Sequence, residues 1–179
     1  LPPTATTTVP PTTTSTTTTT TTQPPGTDPA EVQPYIEDLI VRLDDITDEI
    51  VRDPSVVLDP DAPVLVDLSE VVAPTEYDAR VSAYRANSES GLRYEPLNAE
   101  QVATTSLSGE LATVDVDTVE GSLCIVNTYR ALDGTGALRE VKDGLAHPGR
   151  VTAVRLAGLW KIQQIDVDDS QVCDTAAAA

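Results

Sequence analysis

Residues 111–131, LATVDVDTVEGSLCIVNTYRA, are where the chain changes its period. Over 111–119 the side chains alternate, Ala112, Val114 and Val116 against Thr113, Asp115 and Asp117, which is the pattern of a strand with one buried face. Glu120-Gly121 reads as a tight turn, and SLCIVNTYRA as the returning strand. With the turn placed there, Val116 faces Ile125 and Asp117 faces Cys124 across the hairpin. Farther on, RVTAVRLAG and LWKIQQIDV form a second hairpin around Ala157-Gly158. The glycine-rich LDGTGALREVKDGLAHPG between the two hairpins is expected to be a long loop.

Upstream of this point the period is three to four. In TDPAEVQPYIEDLIVRLDDITDEIVRDP, residues 27–54, the positions Val32, Tyr35, Leu39, Leu43, Ile46 and Ile50 make one apolar stripe of an amphipathic helix. Asp28 can cap it, Pro29 suits its first position, and Glu31 completes a capping box. Pro34 interrupts the first turns and offers a second starting point. Arg52 sits in the last turn and Pro54 stops the helix. Its acidic face, Glu37, Asp38, Asp44, Asp45 and Asp48, is expected to be solvated. Residues 63–72 read as a short second helix. Thr75 with Asp78 resembles the cap of a third, in which Tyr77, Val81 and Tyr84 share a face and Gly91 is the terminator. Leu92 to Leu107 is irregular, with one edge strand expected near 101–107. Helices first and antiparallel strands afterwards make an α+β body, its helices on one face of a curved sheet.

The 179 residues divide at Asp28, because residues 1–27 hold no ionisable side chain and the whole formal charge of −18 falls on residues 28–179. That second part suits one domain, 28–174, followed by a short tail, 175–179. Its acidity argues against nucleic acid, which needs clustered Lys and Arg, whereas only 11 basic residues are scattered here. No apolar run approaches the ~18–20 residues of a membrane span. With neither an initiator Met nor a signal peptide, the sequence reads as a mature or trimmed form.

Fourteen of the first 22 residues are Thr and four are Pro. Such a segment cannot bury enough apolar surface to offset the cost of ordering its backbone, about 1–2 kcal/mol per residue. Pro and β-branched Thr both favour extended conformations, so residues 1–27 read as a spacer. The composition is also that of an O-glycosylated stalk, with Thr12, Thr13, Thr14, Ser15, Thr16, Thr17 and Thr18 as acceptors. A stalk followed by a body is the layout of a secreted or envelope-attached, lipoprotein-like protein, although no acylated cysteine lies in the chain. The alternative is a tail that docks on a neighbouring subunit, so that residues 1–27 mediate self-assembly. Cys124 and Cys173, 49 positions apart, match no zinc or CxxC spacing. They are either two thiols in a reducing compartment or one disulfide outside it, and the Thr/Pro leader tips the balance to the disulfide.

GLWKI, with Gly158, Trp160 and Ile162, follows the strand VTAVRL and the upstream CIVN, and a final Cys comes soon after the last strand. Together these resemble the NTF2-like, or SnoaL-like, domains of secreted bacterial envelope proteins. Where those carry Cys-x-x-Asp, Asn127 stands in place of the Asp, and the loop before the Trp hairpin is longer. The resemblance covers residues 28–174 and is strongest over 111–173. It implies a cystatin-like cone of helices wrapped by a bent sheet, around a hollow that some members use for ligands or catalysis. It also makes Cys124–Cys173 the natural disulfide.

Chemistry-bearing residues are few. His147, the single histidine, lies before a proline and between glycines, and a catalytic His needs an orienting carboxylate. There is no GxSxG, HExxH or P-loop, and no cofactor is implied. Asp115 and Asp117 on one strand face would stand about 7 Å apart and could share a cation or an acid/base role, though a polar outward face is the plainer reading. DVDD (Asp166, Asp168, Asp169) has too few ligands for a calcium loop. Trp160 is expected to plug the core, and Tyr84, Asn127 and Tyr129 are the residues expected to line any hollow. The function expected is a non-catalytic extracellular binding or structural module on a stalk, with an unidentified protein or small molecule at the cell surface as its partner. A SnoaL-like small-molecule enzyme ranks below both this and the assembly subunit.

Overall fold

A computed structural model describes residues 26–97 and 101–173. The expected stalk as far as residue 25, with its acceptor candidates Thr12 to Thr18, residues 98–100 and the expected tail with residue 174 lie outside the described residues. The chain forms helix α1 (Pro29–Arg52), a 3-10 turn (Pro54–Leu58), α2 (Pro63–Val71) and α3 (Pro74–Ser90). Six strands follow: β1 (Arg93–Pro96), β2 (Ala103–Leu107), β3 (Ala112–Asp115), β4 (Thr118–Leu132), β5 (Leu138–Leu156) and β6 (Leu159–Val167).

The first helix starts at Pro29. Asp28 accepts the Ala30 N–H at 3.0 Å, and Pro34 is carried inside the helix at the loss of one backbone bond. Its buried face is broader than the expected stripe, adding Ile36, Ile40 and Val51. The third helix starts at Pro74 with Ala73 as its cap, rather than at Thr75. Pro74 presets the first helical dihedral, and the Ala73 N–H is already bound to the Ile162 carbonyl at 2.8 Å. Gly91 ends this helix in the left-handed conformation at φ 68°, so that Leu92 N–H reaches the Asn87 carbonyl.

The sheet is antiparallel throughout its ladder, and β4 is its spine. One edge of β4 is taken in turn by β3 at Thr118–Glu120, β2 at Leu123–Asn127 and β1 at Tyr129–Leu132. The other edge pairs with β5 along its whole length, and β6 pairs with β5 from Gly149 to Leu156. Helix α1 touches β1 and β2 beyond one side of β4 and also β6 beyond β5, so the sheet curls around it. Residues Val32, Ile36, Leu39 and Leu43 of α1 meet Leu65 and Leu68 of α2 and Val119, Leu123, Trp160 and Ile162 of the sheet in one core.

Three expectations change. The first hairpin turns at Val116-Asp117, so Ala112 pairs with Glu120 and Asp115 with Thr118, while Ile125 faces Thr105 and His147 instead of Val116. Gly121 is not a turn residue: it lies within β4, where a Cβ would come within 2.6 Å of Leu111 Cδ2. The expected loop 132–149 is the β4–β5 hairpin, turned at Asp133–Gly136, with Leu138 onward in β5. Finally, part of the acidic face of α1 holds the sheet edge. Asp44 accepts from Thr105 N–H and hydroxyl, Asp45 from the Gln101 amide, and Asp48 from Val102 N–H at 2.8 Å. These carboxylates answer the outward donors of β2 and the residues before it.

Candidate functional site

Alternation along β4 sends Val119, Leu123 and Ile125 to the helices, and the same phase puts Asn127 and Tyr129 on that face beyond them. There Asn127 lines an open groove of about 430 Å³ with Val141, Lys142, Leu145 and His147. Tyr129 stands next to it, its ring edge-on to Tyr94 at a centroid distance of 4.9 Å. Its hydroxyl donates to Glu140 Oε2 at 3.3 Å. Burial, then the Glu140 and Tyr94 charges, push the Tyr129 phenol well above its ordinary value, so it stays a neutral donor. Glu140 is also paired with Lys142 Nζ at 3.4 Å.

His147 is 9% exposed, and its Nδ1 lies 2.8 Å from the carbonyl of Gln171. A carbonyl only accepts, so Nδ1 carries the proton and the ring is oriented by backbone rather than by a carboxylate. The segment that supplies this carbonyl is itself held down. Asp168 N–H bonds Pro148, Cys173 N–H bonds Ala146, and Cys173 is joined to Cys124 of β4. Hydrogen bonds from Ser170 hold the Asp168 carboxyl below its usual value. The groove, which Asp143 also lines, thus offers an amide, a fixed imidazole, a carboxylate and the Lys142 ammonium paired with Glu140 beside it, among exposed apolar side chains. That is a surface for hydrogen bonding and apolar contact.

Of the three residues expected to line a hollow, Asn127 and Tyr129 share this face, two residues apart. Tyr84 does not join them. It is buried on α3, its hydroxyl 3.3 Å from Thr47 Oγ1 of α1. Trp160 is 1% exposed within the core, and its Nε1 is the single buried side-chain polar atom without a hydrogen-bond partner among the described residues. Asp115 and Asp117 do not form a two-carboxylate site on one strand. Asp117 is in the turn, and Asp115 accepts its N–H at 2.9 Å, a local turn bond that uses the carboxylate structurally. Among the described residues no group of three His, Cys, Asp or Glu is placed to hold a metal ion. The sequence reading missed Glu140 and Lys142, since it assigned them to a loop. The signal that finds them is Asp133-Gly134, a strong hairpin dipeptide between two runs rich in β-formers.

No protein-family model matches the sequence, and no curated protein matches it. Among solved structures, the intermembrane space region of the chloroplast protein ARC6 is similar, with a TM-score of 0.56 at 14% identity, over 75% of this chain and 94% of that one. A de novo beta sheet design protein gives a TM-score of 0.38 at 13% identity, over 79% and 93%. An NTF2-like protein with a cystatin-like fold from Novosphingobium aromaticivorans gives 0.31 at 16% identity, over 84% and 87%. At these identities the likeness to the first is one of fold alone.

Proposed function

We propose that this chain is a non-catalytic binding or structural module of the cell surface or envelope, carried on its uncharged Thr/Pro segment. Thr12 to Thr18 are O-glycosylation acceptors in this reading. The observation that carries it is the Cys124–Cys173 disulfide, which fixes residues 168–173 to the central strand and belongs to an oxidising compartment. No helix among the described residues is long and apolar enough to cross a membrane, in keeping with an external body. The non-catalytic reading rests on how the polar groups are used. His147 is oriented by a carbonyl, Tyr129 is held neutral against Glu140, and the core facing α1 is packed with apolar side chains. The partner is a protein or small molecule that meets the groove around Asn127 and His147.

The test uses intact source cells treated with a membrane-impermeant maleimide, with and without prior reduction, alongside mild external protease. Labelling of Cys124 and Cys173 only after reduction, with release of the body by protease, is expected. Labelling of both without reductant, or a body that resists protease until the cells are lysed, overturns the assignment.

A further inference from the structure

β6 ends at Val167, and residues 168–173 continue beside β5. Three hydrogen bonds tie them to that strand among the described residues. Asp168 N–H goes to the Pro148 carbonyl at 2.9 Å, the His147 ring N–H to the Gln171 carbonyl at 2.8 Å, and Cys173 N–H to the Ala146 carbonyl at 2.8 Å. Inside the segment, Ser170 and Gln171 both donate to the Asp168 carboxylate. It has no apolar anchor: Asp168 to Val172 are exposed, Val172 at 59%, and the packed core takes nothing beyond Ile165 among the described residues. Three hydrogen bonds exchanged against water do not offset the ordering of six residues. The Cys124–Cys173 bond is therefore what keeps the segment in place. Alternation along β4 turns Cys124 away from the core that Leu123 and Ile125 enter, so this fastening lies outside that core. The segment also masks the groove. His147 lines it, yet is 9% exposed with its N–H taken. Tyr129, raised first by burial, also feels the Asp169 charge, and Asp168, lowered first by its bonds from Ser170, also feels the imidazole. The segment thus sets two carboxylates beside the groove.

We propose that residues 168–173 are a strap latched by the Cys124–Cys173 disulfide, which a dithiol reductant opens to uncover His147 and the adjoining end of the groove. The inference rests on reading the groove of Asn127 and His147 as the contact surface, whose access the strap then regulates. Both cysteines are partly exposed, so an external thiol can reach them. One thiolate of the dithiol attacks a sulfur of the disulfide and forms a mixed disulfide, and its second thiol resolves that bond. Two electrons pass to the protein, the two protons end on Cys124 and Cys173, and the dithiol leaves as a disulfide. The freed strap withdraws the Gln171 carbonyl from His147, vacates the Ala146 and Pro148 carbonyls, and takes Asp168 and Asp169 away from the groove. A partner's acceptor then meets the imidazole N–H that the strap occupies in the oxidised form. Oxidation closes the strap again.

The experiment is acylation of the full chain by diethyl pyrocarbonate, followed at the peptide that carries His147, the single histidine. It compares the oxidised chain, the chain reduced with dithiothreitol that is removed before the reagent is added, the same sample after reoxidation, and a Cys124→Ser/Cys173→Ser variant that has no thiol to compete. Emission of Trp160, the single tryptophan and 1% exposed, reports in each sample whether the body stays folded. His147 is expected to react about tenfold faster in the reduced chain and in the variant, and slowly again after reoxidation, with Trp160 emission unchanged throughout. Equal rates overturn the proposal, because the strap then holds without its latch. Faster reaction accompanied by red-shifted Trp160 emission also overturns it, because the disulfide then braces the whole body. Both results leave the surface-display reading standing, since thiol labelling on cells tests that separately.

Discussion

Asp44 shows how a residue placed by helical periodicity on a polar face acquires a second task. Burial raises its carboxyl above the usual value, while bonds from the Thr105 hydroxyl and N–H pull it back. With a folded pKa above the unfolded one, the native state binds the extra proton, so this group's contribution to stability grows as pH falls through that raised value. Asp44→Asn keeps the shape, and its urea midpoint is expected to lose the acid-side gain that the natural chain shows as pH falls from the raised pKa towards the ordinary carboxylate value. Asp44→Ala leaves Thr105 N–H unanswered and is expected to cost about 1–3 kcal/mol. Asp133 runs the other way. Bonds from Thr135 and Ala137 hold it at about 2, so its contribution is present above its unfolded value and lost as pH falls through about 2. Trp160→Ala should cost about 3–5 kcal/mol by emptying the core between α1 and β6, as read by chemical denaturation.

At the scale of elements, two joints decide how helices and strands are held together. Gly91 at φ 68° ends α3 where a Cβ would meet Gly134 Cα, in the β4–β5 turn, at 2.7 Å. Gly136 has φ 81° with open space around the same position. Gly136→Ala should therefore cost about 1 kcal/mol, the left-handed penalty alone, and Gly91→Ala measurably more, since turn and helix end must separate. Equal midpoints in thermal melts would contradict this contact. The second joint is the disulfide. Cys124→Ser with Cys173→Ser is expected to lower stability by about 2–5 kcal/mol, and the reduced natural chain should melt with the variant. Release of the Gln171 carbonyl from His147 should also show as a shifted imidazole resonance.

Across the whole molecule, the charge of −18 falls on residues 28–179, and residues 1–27 carry none. Described cations are mostly paired at short range, such as Arg130 with Glu95 at 2.6 Å and Arg80 with Glu76 at 2.6 Å, so the excess carboxylates repel over longer distances. Salt screens such repulsion over about 10 Å at 0.1 M. The melting temperature of the full chain should therefore rise between low and moderate ionic strength. A fall would mean that the short pairs dominate.

Period, with cap and turn residues, was enough to place α1 and the Trp160 hairpin, because a 3.6 repeat in residues 32–51 or a Gly-x-Trp turn has one low-energy solution; α2 was read from a short apolar run, and α3 was found with its start placed late. The α+β order followed from the same patterns. The β4–β5 hairpin was not legible. Leu138, Val141 and Leu145 lie on an outer stretch of β5 with no helix across it, so no alternation had been selected there, and Gly121 serves close packing that only the folded neighbour Leu111 defines. Nor could the sequence say that Asp44, Asp45 and Asp48 hold β2 and the two residues before it, more than 50 positions away, or that Asn127 and Tyr129 share a face that Tyr84 never reaches. Local patterns decide which face of an element is apolar. What lies opposite that face, and which strand edge is left open, depends on contacts distant in the chain, and those were settled by the tertiary packing.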